Sequence, residues 1–304
     1  MTSSAPATAD DLDGPRPDVG VVGGSGLYAL LEDAQTLRVA TPWGEHSDGL
    51  TVGTVGDRRV AFLPRHGKGH TLPPHRIGYR ANLWALRSLG VRQLLTVSAV
   101  GSLRPENGPG TLVLPDQVVD RTWGREHTFY DGSSTGPGGP GPVVHAPFAD
   151  PYCPVGRGVV ARTAEAAGER VVDRGVLVTI QGPRFSTRAE SQANAAAGWS
   201  VVGMTGSPEA GLARELALCC TALTIVTDLD AGVEEGSGVT QAEVLEVFGR
   251  TLARVRSVVL DAVQQLPAER TGCACAGALD GVELPFPLPG DDAGSTSGTA
   301  GADA

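Results

Sequence analysis

Residues 219–230 read CCTALTIVTDLD, an apolar run that ends in two carboxyls, Asp228 and Asp230. A run of Cys, Ala, Leu, Ile and Val with no polar alternation fits a strand covered on both faces. Side chains two apart on a strand point the same way, so Asp228 and Asp230 share one side. Paired carboxyls facing one way suit acid–base work or a metal. No third acidic or His ligand lies nearby in sequence, which disfavours the metal. A solvated strand end is the bland alternative.

Six more stretches have the same character: DVGVVGG at 18–24, RRVAFLP at 58–64, QLLTVSAVG at 93–101, GTLVLPDQVV at 110–119, GVLVTIQG at 175–182 and SVVGM at 200–204. Between them, HRIGYRANLWALRSLG, GRGVVARTAEAAGER and SPEAGLARELAL carry apolar residues at i, i+3 and i+4, the helical spacing. QAEVLEVFGRTLARVRSVVLDAVQQL predicts a long closing helix, with Thr240 as N-cap and Glu243 as its capping-box partner. This alternation predicts one three-layer α/β domain over 18–270, with a central mixed, largely parallel sheet between helices. Residues 1–17 and 271–304 read as mobile polar tails. GSSTGPGGPGP at 132–142 reads as a loop inside the domain.

In such sheets ligands sit beyond the carboxyl ends of the strands. The first strand ends in Gly23-Gly24-Ser25-Gly26, a turn whose amides can cradle an anion. Gly24, Gly26 and Ala29 also match the GxGxxA spacing of a dinucleotide site, but that reading needs an acidic residue ending the next strand, and Pro64-Arg65-His66 stands there. Arg65 offers a planar fork matched to phosphate, and the His66 imidazole another donor. Ser98-Ala99 place a hydroxyl and exposed amides at another strand end. Phe185 can stack on a flat ring or fill core. Met204 and Thr205 suit a sugar face and an anion, with a gap-filling Met as the alternative.

The chain of 304 residues carries a formal charge of −10, which gives a polyanion such as nucleic acid no bulk attraction. The N-terminus lacks the basic and apolar regions of a secretory signal, and no apolar run is long enough to span a membrane. Five scattered cysteines do not form a secreted disulfide framework, so a cytoplasmic protein is expected. Cys219 and Cys220 read as inert core residues; Cys273-Ala-Cys275 can form a strained disulfide or hold a metal weakly, and reads first as an incidental part of a flexible end.

Taken in order, GGSGLY, PRHGKGHTLPPHRIGYRANLWAL, SAVGSL, PGTLVLPDQVVDRT, FYDG, TIQGPRFSTRAES, GMTGSPEAGLARE and VTDLDAG resemble the family of methylthioadenosine phosphorylases and trimeric purine nucleoside phosphorylases. The resemblance spans about 18–265. It implies phosphorolysis of a purine nucleoside, S-methyl-5′-thioadenosine in first place, with inorganic phosphate as co-substrate and no metal or organic cofactor. It also implies a homotrimer with its active site at the subunit interface. Phosphate would meet Ser25, Arg65, His66, Ser98, the backbone of Ala99, and Thr205. Met204 would lie against the ribose and Phe185 on the purine. Asp228 and Asp230 would bind N7 and a 6-amino group, and His145, from a neighbouring subunit, would close the 5′ end. Relatives acting on 6-oxopurines carry Asn where Asp228 stands, so the aspartate pair implies a 6-aminopurine. The apolar 5′ pocket of the methylthioadenosine enzymes would fall on Val239, Gln241 and Val244. Gln241 departs from that pattern and favours acceptance of a 5′-hydroxyl. The alternative reading is a purine nucleoside phosphorylase acting on adenosine or on 6-oxopurine nucleosides. A hydrolytic nucleosidase would have no need of the Arg65–His66 cluster.

Overall fold

A computed structural model describes residues 11–24, 31–132, 141–233 and 238–291. The apolar runs form β1 (Val19–Gly23), β4 (Arg58–Pro64), β5 (Gln93–Ser102), β9 (Val176–Ile180), β10 (Val201–Gly203) and β11 (Cys219–Leu229). The expected strand at 110–119 is two strands, β6 (Leu112–Leu114) and β7 (Gln117–Arg121). They are separated at Pro115, which has no amide to give a ladder. Three strands escaped the sequence reading: β2 (Glu32–Leu37), β3 (Leu50–Val55) and β8 (Val171–Asp173). β2 reads EDAQTL and lies largely exposed at the sheet edge, so it carries no apolar run.

These strands make one mixed sheet, in which six of the ten pairings are parallel. Helices α1 (Tyr79–Ser88) and α4 (Gly206–Glu215) share an apolar cluster on one face. Helices α2 (Pro154–Ala166) and α5 (Gln241–Gln265) share the cluster on the other. The remaining helix, α3 (Arg188–Ala196), is polar and opens on a Thr187–Glu190 capping box. The box expected at Thr240 and Glu243 is present at the start of α5. A three-layer α/β domain is thus what folds.

The course of β5 shapes the site. Its first residues, Gln93–Thr96, lie between β1 and β11, while Gly101 and Ser102 pair with β10. Over Val97–Val100 the strand keeps β11 on one side and has left β1 on the other. One edge of the backbone at Ser98 and Ala99 therefore faces a split in the sheet.

The expected tails need correction where they are described. In the stretch 271–291, Phe286 is buried against Trp84 and Tyr130, with ring centroids 5.6 and 5.2 Å apart. The Asp291 carboxylate accepts from Arg87 at 2.9 and 3.1 Å and from Arg92 at 2.9 Å. Proline and glycine in ELPFPLPG disguised a segment that contributes apolar side chains to the core. Near the other end, Leu12 packs on the core and the Asp13 amide donates to Gln35 Oε1 at 3.2 Å. Most of the glycine-rich loop lies outside the described residues. Among the described residues, no helix is long and apolar enough to cross a membrane.

Candidate active site

The split beside β5 brings together the carboxyl ends of β1 and β4 and the start of α4. The Arg65 amide donates to Gly23 O at 3.0 Å, closing β4 onto β1. Its guanidinium is 2 % exposed and crosses the split. Nη1 donates to Val97 O at 2.8 Å, Nη2 to Val22 O at 3.3 Å, and Nε and Nη2 form a fork on the Glu209 carboxylate at 2.9 Å each. Burial alone would lower the Arg65 pKa, but Glu209 outweighs it and raises it. Arg65 was expected to present a free fork to phosphate. Instead most of its donors are spent on protein, and it ties β1, β5 and α4 into one frame, its charge balanced by Glu209. Thr205, buried, is the residue before α4 and gives its side chain to no helix amide. It stands four residues from Glu209, and the chain between them is extended at Ser207 before the regular turns of α4 begin.

His66 follows Arg65. Its Nδ1 lies 2.8 Å from Leu72 O, and a carbonyl only accepts, so Nδ1 carries the proton. Burial lowers its pKa to about 4, against the opposing pull of the Leu72 carbonyl. At neutral pH Nε2 is then a bare acceptor, suited to the O–H of hydrogen phosphate. The ring stacks on His70 with centroids 4.4 Å apart. Ser98 and Ala99 are half-buried at the split, between buried Val97 and Val100. Ser25 lies outside the described residues.

The base end is two to three residues further along β5. At about 3.3 Å per residue, that is roughly 7–10 Å from Ser98 and Ala99, the span of a nucleoside between its reacting carbon and the far edge of its base. A bulge at Thr227 shifts the register so that Asp228 pairs with Gly101. A Cβ at position 101 would stand 2.9 Å from Asp228 Oδ1 and 3.2 Å from Asp230 Cβ, so glycine there leaves room for both carboxyls. Thr227 Oγ1 donates to Asp228 Oδ2 at 2.8 Å. Burial lifts the Asp228 pKa to about 6; the Thr227 hydroxyl opposes this, while Asp230 and Glu243 add to it. Asp230 is held by its amide on Ser102 O at 3.0 Å. Burial raises its pKa too, with the Ser186 and Ser191 hydroxyls pulling the other way. Neither closes a hydrogen bond on Oδ2, which is buried without a partner among the described residues. An orphaned buried carboxylate oxygen is costly unless a ligand completes it.

Around this pair, Phe185 is half-buried beside Ser186. Met204 covers Gly182, where φ is +61° and a Cβ would fall 2.6 Å from Met204 Sδ. Arg125 braces this wall. It donates to Tyr79 Oη, Met204 O, Ser207 O, Gln181 O and Gln181 Oε1 at 2.7–3.2 Å. Val239 and Val244 are half-buried near the start of α5, whereas Gln241 and His145 are exposed in the single chain and are not packed onto this site. Phe248, one turn beyond Val244, is 3.6 Å from where a Gly24 Cβ would stand. The sequence reading missed Glu209, Arg125, Gly101 and Phe248. A carboxylate on the apolar stripe of SPEAGLARELAL was the one available sign for Glu209.

The family model described as Phosphorylase superfamily matches residues 18–264. A purine nucleoside phosphorylase of Streptomyces coelicolor is 57 % identical over 275 residues, covering 90 % of this chain and 98 % of its own. An S-methyl-5′-thioadenosine phosphorylase of Mycolicibacterium smegmatis is 52 % identical over 272 residues, covering 89 % and 99 %. Methylthioadenosine phosphorylase from Schistosoma mansoni, solved with adenine, superposes with a TM-score of 0.79 at 39 % identity, covering 84 % of this chain and 93 % of that one.

Proposed function

This chain belongs to the phosphorylase superfamily, and on that premise we propose that it cleaves S-methyl-5′-thioadenosine with inorganic phosphate, giving adenine and 5-methylthioribose 1-phosphate. It is a nucleoside phosphorylase, a pentosyltransferase. The observation that carries the choice of base is the Asp228–Asp230 pair, buried against Gly101 with one carboxylate oxygen unpartnered.

Burial, with a contribution from Asp230, raises the Asp228 pKa to about 6, so near that pH a share of the sites carries its proton. Asp228, with its raised pKa, donates that proton to N7 as the C1′–N9 bond breaks and its electron pair passes to the purine. Asp230, ionised, accepts from the 6-amino group. The ribose, left oxocarbenium-like, is met on its other face by a phosphate oxygen, which forms the new bond to C1′. Hydrogen phosphate rests between His66 Nε2, Ser98, the Ala99 amide and Thr205, on the frame held by Arg65; the resemblance adds Ser25, which lies outside the described residues. Met204 lies on the ribose and Phe185 on the base. The residues supply proton transfer, position and electrostatics; the reaction as written consumes only nucleoside and phosphate.

Val239, Val244 and Phe248 border the 5′ group. Exposed Trp123, Val143 and Phe148, large apolar residues at 73, 76 and 41 % exposure, support association of copies, and in the homotrimer the resemblance implies, His145 of a second copy would complete that end. Five free thiols agree with a cytoplasmic setting. The Streptomyces relative's name and Gln241 favour a second reading, a broader purine nucleoside phosphorylase.

The test is base release from methylthioadenosine, adenosine and inosine, each with and without phosphate. Phosphate-dependent adenine release, fastest from methylthioadenosine, is expected. Hypoxanthine from inosine as the main product would overturn the assignment of Asp228 and Asp230.

A further inference from the structure

Nine residues upstream of Asp228, at the other end of β11, four of the five cysteines converge. Cys153, Cys219, Cys273 and Cys275 place their sulfurs all within 4.8 Å of one another. None forms a disulfide. The Cys219 and Cys273 sulfurs are 3.7 Å apart, far beyond a bonded pair at about 2.05 Å. With metal–sulfur bonds of about 2.3 Å, the edge of a tetrahedron of thiolates is about 3.8 Å. Three separate parts of the fold supply them. Cys153 is the N-cap of α2, Cys219 opens β11, and Cys273 and Cys275 come from the segment beyond α5 that packs back on the domain.

The local chemistry favours thiolates. Cys153 Sγ accepts from the Gly156 amide at 3.5 Å, at a helix N-terminus that stabilises negative charge. Three of the four are buried, and apart from Val155 the cluster is made of cysteines. Cys220 lies on the opposite face of β11, in a different part of the core, and takes no part.

We propose that these four cysteines hold a structural zinc ion in a closed tetrahedral site, clamping the segment after α5 to the start of β11 and to α2. On binding, the four thiols release their protons as four Zn–S bonds form, and nothing is oxidised or reduced. Four soft ligands with no position left for water or substrate mark a structural site. Nine strand residues put it roughly 30 Å from Asp228, so it takes no part in phosphorolysis. The C-x-C pair was expected to be incidental to a flexible end; it stands more than 50 residues from Cys219 in sequence, and the fold closes that gap.

The experiment is metal analysis of the untagged full-length protein, followed by replacement with cobalt(II). About one zinc per chain is expected, and the cobalt form should show the sulfur-to-metal charge-transfer and intense ligand-field bands of a tetrahedral tetrathiolate. The paired change Cys273→Ser with Cys275→Ser should abolish both, with a lower melting temperature, whereas Cys220→Ala should keep the metal. Metal-free protein in which all five thiols titrate, or one whose mass and thiol count show disulfides within the cluster, would overturn the proposal. The cobalt spectrum of the unaltered chain decides the matter even if the serine variant fails to fold.

Discussion

At the proposed phosphate end of the split, Arg65 is buried with a bidentate carboxylate partner and two backbone carbonyls; at the proposed base end, Asp230 is also buried, yet one of its oxygens has no partner among the described residues. Both ends bury charge, but they manage it differently. The cation is neutralised within the protein and contributes a fixed frame. Burial raises the pKa of both carboxyls, and in the proposed function a purine completes their hydrogen bonds. Phosphate arrives with its own charge and needs a rigid receptacle. The base must be given a proton during the reaction, and a carboxyl already satisfied by protein could not give it.

The largest effect expected from breaking the contrast is at the base end. Asp228→Asn should lower kcat/KM for adenine nucleosides by about 10²–10⁴-fold while leaving the fold intact, since one positioned acid contributes about that much. Steady-state rates with unchanged circular dichroism would bear this out, and unaltered kinetics would remove Asp228 from the chemistry. At the phosphate end the corresponding change acts on stability. Glu209→Ala strands Arg65 in the interior and should cost about 3–5 kcal/mol in denaturant unfolding. A loss of under about 1 kcal/mol, typical of an exposed pair, would mean that the Arg65 charge is not held as described.

The frame was more legible in the sequence than this contrast. Continuous apolar runs marked the buried strands, and their polar ends located Arg65, His66, Asp228 and Asp230. What a run of letters could not convey was pairing across the fold. Arg65 reads as a free phosphate fork until Glu209, 144 residues away, is brought against it. Gly101 reads as turn chemistry until β11 lays two carboxyls over it. β2 was missed because an exposed edge strand has no apolar face to declare, and the 271–291 segment because proline-rich composition conceals a buried Phe286.

Two smaller changes sharpen the comparison. Gly101→Ala adds a methyl group 2.9 Å from Asp228 Oδ1 and should displace the pair, lowering kcat/KM up to about 10²-fold with little loss of stability. Wild-type kinetics in this variant would show that the carboxyls tolerate displacement. Gln241→Val, at an exposed position in the single chain, should alter the ratio of kcat/KM for methylthioadenosine over adenosine by less than about tenfold, toward the thioether. A shift toward adenosine would place Gln241 outside the 5′ pocket.

The most direct measurement is the pH profile of kcat/KM for methylthioadenosine in the wild type and in Asp228→Asn. The Asp228 pKa is raised to about 6, and in the proposed mechanism its protonated form is the donor to N7. Activity should therefore be sustained below that value and fall tenfold per pH unit above it as the proton is lost. The asparagine variant should retain only a low rate with that alkaline limb gone. The same limb persisting in Asp228→Asn would assign the proton to another group and contradict the account.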